Sequence, residues 1–252
     1  MNKNLLEIKD LWVNINDKPI LKGINLSIAK GESHVIFGRN GSGKSTLLGS
    51  IIGLPHLKIV KGDILFKGKS ILNLPMYERI KMGIGIIFQR PPTIKGVKLE
   101  KLLQIINRSK ENIQNIAKEL KLHELLKRDV NDGFSGGEIK ASEIMQLFLQ
   151  NPDLLLLDEP DAGVDADNIK IISNYINKLL QADLPKERRE KSAIIIVHSG
   201  IILEYVNIDI GHVMVDGKLT PPANPYEILD MIKKFGYKKC YEYFSKGKKN
   251  GE

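Results

Sequence analysis

Apolar and polar positions alternate through the first thirty residues. Leu6-Glu7-Ile8-Lys9 and Leu11-Trp12-Val13-Asn14-Ile15 carry a period of two. Asn16-Asp17-Lys18-Pro19 then supplies turn chemistry, and Leu21, Ile24, Leu26 and Ile28 follow with polar residues between them. This alternation predicts half-buried strands, so residues 1–30 are expected to form part of an antiparallel β subdomain. The pattern then changes. Ser33 to Phe37, Leu154 to Leu157 and Ala193 to Val197 are apolar nearly throughout, at strand length. Such runs suit a parallel sheet covered on both faces. Between residues 98 and 150 the spacing becomes helical, through Leu102, Ile105 and Ile106, then Ile113, Ile116, Ala117 and Leu120, then Ala141, Ile144, Met145 and Phe148. This predicts a helical subdomain inserted between two strands of the sheet, and an α/β fold for the chain as a whole.

Composition changes this picture little. Hydrophobic residues at 42% and charged residues at 27% of 252 positions are ordinary for a globular chain that buries its own core. The net charge of +8 is uneven: residues 231–252 hold seven lysines against two glutamates, leaving +3 for the rest. That stretch is expected to be a solvated, frayed basic tail, and the body offers no phosphate-backbone surface, which argues against nucleic acid. One cysteine, Cys240, excludes an intramolecular disulfide and points to a reducing, cytoplasmic setting. Its place in the basic tail argues against a ligand role. No apolar run approaches the ~18 residues of a membrane span, and Met1 to Asn4 precede no signal-peptide core, so direct membrane insertion is not expected.

The chemistry sits at strand ends. Gly38-Arg39-Asn40-Gly41-Ser42-Gly43-Lys44-Ser45-Thr46 matches a phosphate-binding loop between an apolar strand and a helix. Its glycines let backbone N–H groups turn toward a polyphosphate, Lys44 would reach the β- and γ-phosphates, and the Ser45 hydroxyl would ligate Mg²⁺. Leu154 to Leu157 run into Asp158-Glu159, 114 residues after Lys44. Asp158 would hold Mg²⁺ through water, and Glu159 would orient or deprotonate the attacking water. Phe134-Ser135-Gly136-Gly137-Glu138 repeats the physics of the first loop, with a hydroxyl and two glycines ahead of a helix. A polyphosphate with Mg²⁺ is the ligand that these loops fit.

These motifs, in this order over residues 33 to 200, resemble the ATP-binding-cassette family. The resemblance implies a P-loop NTPase fold with a RecA-like core, an antiparallel β subdomain and a helical subdomain. It implies that Ser135, Gly136 and Gly137 of one subunit cap the nucleotide held by the other, in a transient ATP-dependent homodimer. It also implies a Mg²⁺-contacting Gln89 after the strand Ile84 to Phe88, a D-loop with Asp165, and a switch His198 at the γ-phosphate. Ile15 stands where the family usually places an adenine-stacking aromatic residue, with Trp12 the nearest ring, which leaves adenine recognition open. Only 46 residues separate Gln89 from Ser135, which excludes the long coiled-coil members. Within the family the chain is similar to the SufC group, cytosolic ATPases of iron–sulfur cluster assembly. That similarity rests on Arg90 to Val97, on Glu143-Ile144 after the signature and on Asp161, while Lys140-Ala141-Ser142 departs from it. It implies a SufB/SufD-like scaffold as partner, docked on Pro91 to Val97 and the helix beginning near Leu99, with Ile94 and Val97 as expected anchors. The alternative is the nucleotide-binding subunit of a membrane transporter.

Overall fold

The computed structural model describes residues 4–197 and 200–245. Strands β1 (Asn4–Ile15) and β2 (Lys18–Ala29) form an antiparallel hairpin, and β4 (Lys58–Phe66) and β5 (Lys69–Ser70) extend it in the order β2-β1-β4-β5. The two segments expected on either side of Asp10 are one strand. Asp10 takes a left-handed φ of 45° at a bulge, and its carbonyl would lie 2.3 Å from a Cβ on Gly62 opposite. A glycine is the residue that permits this close crossing.

The second sheet contains β3 (Ser33–Phe37), β6 (Ile84–Ile87), β9 (Leu154–Asp158), β10 (Ser192–Val197), β11 (Ile210–Val215) and β12 (Lys218–Leu219), in the order β12-β11-β3-β10-β9-β6. All its pairings are parallel except β11 with β12. Both faces are covered, as the continuous apolar runs require. Leu154, Leu156, Ile194, Ile196 and Ile36 pack with the antiparallel subdomain and with helix α1 (Lys44–Ile52). Their neighbours Leu155, Leu157, Ile195, Val197, Val35 and Phe37 pack on the opposite side, among the helices. Alternate residues of one strand thus feed two cores. Fully burying each such side chain stabilises by roughly 1.5–3 kcal/mol before entropy is counted.

Helix α2 (Met76–Lys81) precedes β6. The inserted subdomain has helices α3 (Leu99–Ile106), α4 (Ile113–Glu119) and α5 (Gly136–Gln150), as the spacing predicts. It also has a ribbon that the periodicity did not reveal, in which β7 (Ile94–Lys98) pairs with the two-residue β8 (Asp129–Val130). Val97 is half-buried against the helical core while Ile94 is exposed, so of the two expected anchors Ile94 is the more open to solvent. Helix α6 (Ala166–Leu179) follows β9.

The C-terminal reading needs correction. Residues 225–245 form helix α7, kinked at Gly236 (φ 78°), which lies on β11. Cys240 and Phe244 are buried in the main core, with Tyr237 and Tyr241 packed against it. Lysines 233, 234, 238 and 239 dominated the composition and hid this apolar stripe. Residues 246–252 lie outside the described part. No described helix is long and apolar enough to cross a membrane.

Candidate functional site

Parallel register brings the chemical groups to one edge of the sheet. Phe37 pairs with Val197, Ile196 with Asp158, and Leu157 with Ile87. The segments that follow these strands therefore emerge together at their carboxyl ends, where α/β sheets bind ligands. His198 follows Val197 directly and lies outside the described residues.

The loop after β3 turns tightly enough to need glycine. A Cβ on Gly38 would come within 2.6 Å of the Met214 carbonyl oxygen, and Gly43 holds a φ of 110° at the N-cap of α1. No side chain caps that helix, so its first N–H groups remain directed at the loop's concave side. The Lys44 ammonium donates to the carbonyl oxygens of Gly38 (2.7 Å) and Arg39 (3.1 Å). Burial pulls its pKa down, opposed by the nearby Glu159 and Asp158 carboxylates. A cavity of about 420 Å³ is lined by Ile15, Ile20, Asn40, Gly41, Gly43, Lys44, Ser45, Thr46, Gln89 and Glu159. Its size suits a nucleotide-sized ligand. Ile15 and Ile20 give it an aliphatic wall, whereas Trp12 stays outside and donates its indole N–H to Asp10 (2.7 Å).

Asp158 ends β9 and is buried. The Ser45 hydroxyl donates to its carboxylate, and burial, with Glu159 beside it, pushes its pKa up. Asp158 Oδ1 and Ser42 Oγ are buried without hydrogen-bond partners. A buried acceptor left unpaired beside a helix N-terminal hydroxyl is the arrangement a hydrated divalent cation would satisfy, so Ser45 and Asp158 fit a Mg²⁺ site completed by the nucleotide. No described group of three or more acidic, His or Cys residues could hold a metal by itself. Glu159 carries a left-handed φ of 50°, an uncommon conformation for a non-glycine residue and a strained one. Its Oε2 accepts a 2.9 Å hydrogen bond from Gln89 Nε2, which brings these two predicted site residues together.

The signature residues do not line this cavity. Ser135 caps α5 instead: its hydroxyl accepts from the Glu138 N–H (3.3 Å), and Glu138 Oε2 accepts from the Ser135 N–H (2.7 Å). The cap uses the oxygen of Ser135 as acceptor and leaves its O–H free to donate. The sequence Ser135-x-x-Glu138 could have shown this capping box. Gly136 approaches the backbone of Gly163, and a Cβ there would sit 3.2 Å from the Gly163 carbonyl oxygen. Signature and D-loop thus form one surface, where Ser135, Gly136 and Asp165 are exposed. Asp165 caps α6, accepting from the N–H groups of Asp167 (3.1 Å) and Asn168 (2.9 Å), which hold its carboxyl pKa low.

Two residues escaped the sequence reading as parts of the site. Lys140 and Glu143 are both buried and form a 3.1 Å ion pair that also grips Phe88, the neighbour of Gln89. The sequence shows only that Lys140 borders the apolar stripe of Ala141, Ile144, Met145 and Phe148, which does not point to Phe88.

The sequence model of the family described as ABC transporter matches residues 21–162. Among curated relatives, the "Probable ATP-dependent transporter ycf16" of Trieres chinensis is 44% identical over 87% of this chain and 92% of its own. "Vegetative protein 296" of Bacillus subtilis is 35% identical over 94% of this chain and 93% of its own. A nucleotide-free ATP-binding cassette from an ABC transporter superimposes with a TM-score of 0.74 at 27% identity, covering 94% of this chain and 98% of that one. An ABC transporter cassette in its ADP conformation gives 0.72 at 28% identity, covering 95% and 98%.

Proposed function

The chain belongs to the ABC transporter family of ATP-hydrolysing cassettes, and we propose that it is the ATPase subunit driving a SufB/SufD-like scaffold in cytoplasmic iron–sulfur cluster assembly. ATP is held with its phosphates on the N–H groups of Gly41, Gly43 and the first turn of α1, beside Lys44 and Thr46. Gly38, Asn40 and Ser42 shape that loop. Ser45 and Asp158, with Gln89, hold Mg²⁺, which when bound neutralises phosphate charge. Gln89 directs the Glu159 carboxylate, which accepts the proton of the attacking water as its oxygen bonds to the γ-phosphorus and the bond to the β–γ bridging oxygen breaks. The family resemblance assigns the γ-phosphate contact to His198. Two copies form a transient homodimer in which Ser135, Gly136 and Gly137 of one close over the phosphates of the other, with Asp165 fixing the adjoining loop.

The Gln89–Glu159 hydrogen bond is the observation that carries the hydrolytic part of this reading. The scaffold assignment is supported by Arg90 to Val97, by Asp161 and by the exposure of Ile94 on the ribbon. The Trieres chinensis relative is called a probable ATP-dependent transporter, which favours a second reading, the nucleotide-binding subunit of a membrane transporter. Affinity capture from native extract separates the two: a soluble scaffold supports the first, a membrane-spanning subunit the second. Ile94→Glu is expected to reduce that capture while leaving ATP binding intact. Wild-type recovery with this variant would move the docking surface elsewhere.

A further inference from the structure

We propose that Lys140 and Glu143 are positioning residues for hydrolysis, which clamp the backbone of Phe88 to the signature helix and so hold Gln89 against Glu159. This rests on the roles given above to Gln89 and Glu159. The ladder between β6 and β9 ends at Ile87, paired with Leu157. Phe88, the next residue, has an N–H and a C=O with no neighbouring strand to receive them, and a half-buried backbone needs partners. Two side chains of α5 supply both. The Lys140 ammonium donates to the Phe88 carbonyl oxygen at 2.6 Å, and Glu143 Oε1 accepts from the Phe88 N–H at 3.1 Å. The second carboxylate oxygen, Oε2, closes the unit on Lys140 at 3.1 Å. Together they imitate the donor and acceptor of a missing strand, and they belong to α5 rather than to the sheet.

The consequence is mechanical. Ser135 caps the start of α5 through a reciprocal pair of hydrogen bonds with Glu138. Lys140 lies five residues further on, about 8 Å along a rigid helix. A contact that shifts Ser135 therefore shifts the anchor of Phe88, and with it Gln89, whose amide is bonded to Glu159. Burying two charges costs several kcal/mol per ion unless geometry compensates, and an apolar pair of similar volume is often as stable. Packing alone therefore gives no reason for a buried Lys and Glu here. Asp158 lies close enough to exert electrostatic effects on Glu143 and to be affected by Lys140, so the pair also borders the proposed Mg²⁺ position.

The test is a double-mutant cycle on ATP hydrolysis by the full chain. Lys140→Leu combined with Glu143→Leu removes the clamp without leaving a lone buried charge. It is expected to lower kcat about tenfold with KM for ATP within twofold, the mark of an interaction that acts in the chemical step. Lys140→Met combined with Glu143→Gln keeps an acceptor for the Phe88 N–H with no charge buried, and is expected to retain activity within about threefold. Adding Gln89→Ala to the clampless protein should cost less than it costs the wild type, because the link to Glu159 is already broken there. If the double leucine variant does not fold, the same cycle is run on Lys140→Met with Glu143→Met, which removes the clamp with flexible neutral side chains. Losses that multiply, with Gln89→Ala harmful alone, overturn the clamp and spare the site assignment. A silent Gln89→Ala removes the role of Gln89 and the clamp with it.

Discussion

Gln89 Nε2 lies 2.9 Å from Glu159 Oε2, joining residues seventy positions apart at the ends of the adjacent parallel strands β6 and β9. The bond occupies one carboxylate oxygen of Glu159 and leaves Oε1 as the acceptor for a water proton. Glu159→Gln is therefore expected to bind ATP as the wild type does and to hydrolyse it about 10²–10⁴-fold more slowly. Single-turnover kinetics with equilibrium binding check both halves. Near-normal turnover would take Glu159 out of the base role.

A buried histidine pair sets the acid limit of the fold. His34 Nδ1 lies 3.0 Å from His212 Nε2, and His212 Nδ1 lies 3.0 Å from the Thr220 carbonyl oxygen. Burial, with His34 beside it, holds the His212 pKa down to about 4, against the ordinary 6.5. The unfolded chain then takes up a proton that the folded chain refuses between pH 6.5 and 4. Stability should fall as pH drops through that window, by about 3 kcal/mol in all. Glu32 faces His34 at 3.4 Å and Lys186 at 3.1 Å. Its carboxyl is held down to about 2, chiefly by the His34 hydrogen bond. It stabilises above pH 4.5 and loses that contribution toward pH 2. Urea unfolding of wild type and His212→Gln at several pH values tests this: the wild type should lose stability more steeply from pH 6.5 to 4. Parallel profiles would refute it.

The packing of α7 makes the lysine-rich end structural. Phe244→Ala should destabilise the chain by about 3 kcal/mol, since a buried ring leaves a cavity. For a chain of this size that is a drop in Tm of about 6–12 °C. An unchanged Tm would mean that the end of the helix adds nothing.

The two-sided sheet was legible because Leu154 to Leu157 and Ala193 to Val197 leave no polar face to solvate. The tight turn between β3 and α1 was legible because the glycines of Gly38 to Gly43 stand in one contiguous run. What stayed hidden depended on partners distant in sequence. The ribbon of Ile94–Lys98 with Asp129–Val130 has too few residues to show a period. The clamp of Lys140 and Glu143 acts on the backbone of Phe88, some fifty positions away, where no residue type marks it. In α7 the lysines outweighed an apolar stripe that only the contact with β11 makes plain.

Ser135 sits exposed at the tip of α5 and does not line the cavity that contains Lys44, so in the proposed mechanism each working site needs two copies of the chain. The most direct measurement is ATP turnover of Ser135→Arg, of Lys44→Ala, and of their equimolar mixture. Neither variant alone should turn over appreciably. The mixture should regain activity, because a mixed dimer keeps one site with an intact loop and an intact signature. Wild-type turnover by Ser135→Arg alone, unchanged on dilution, would contradict it.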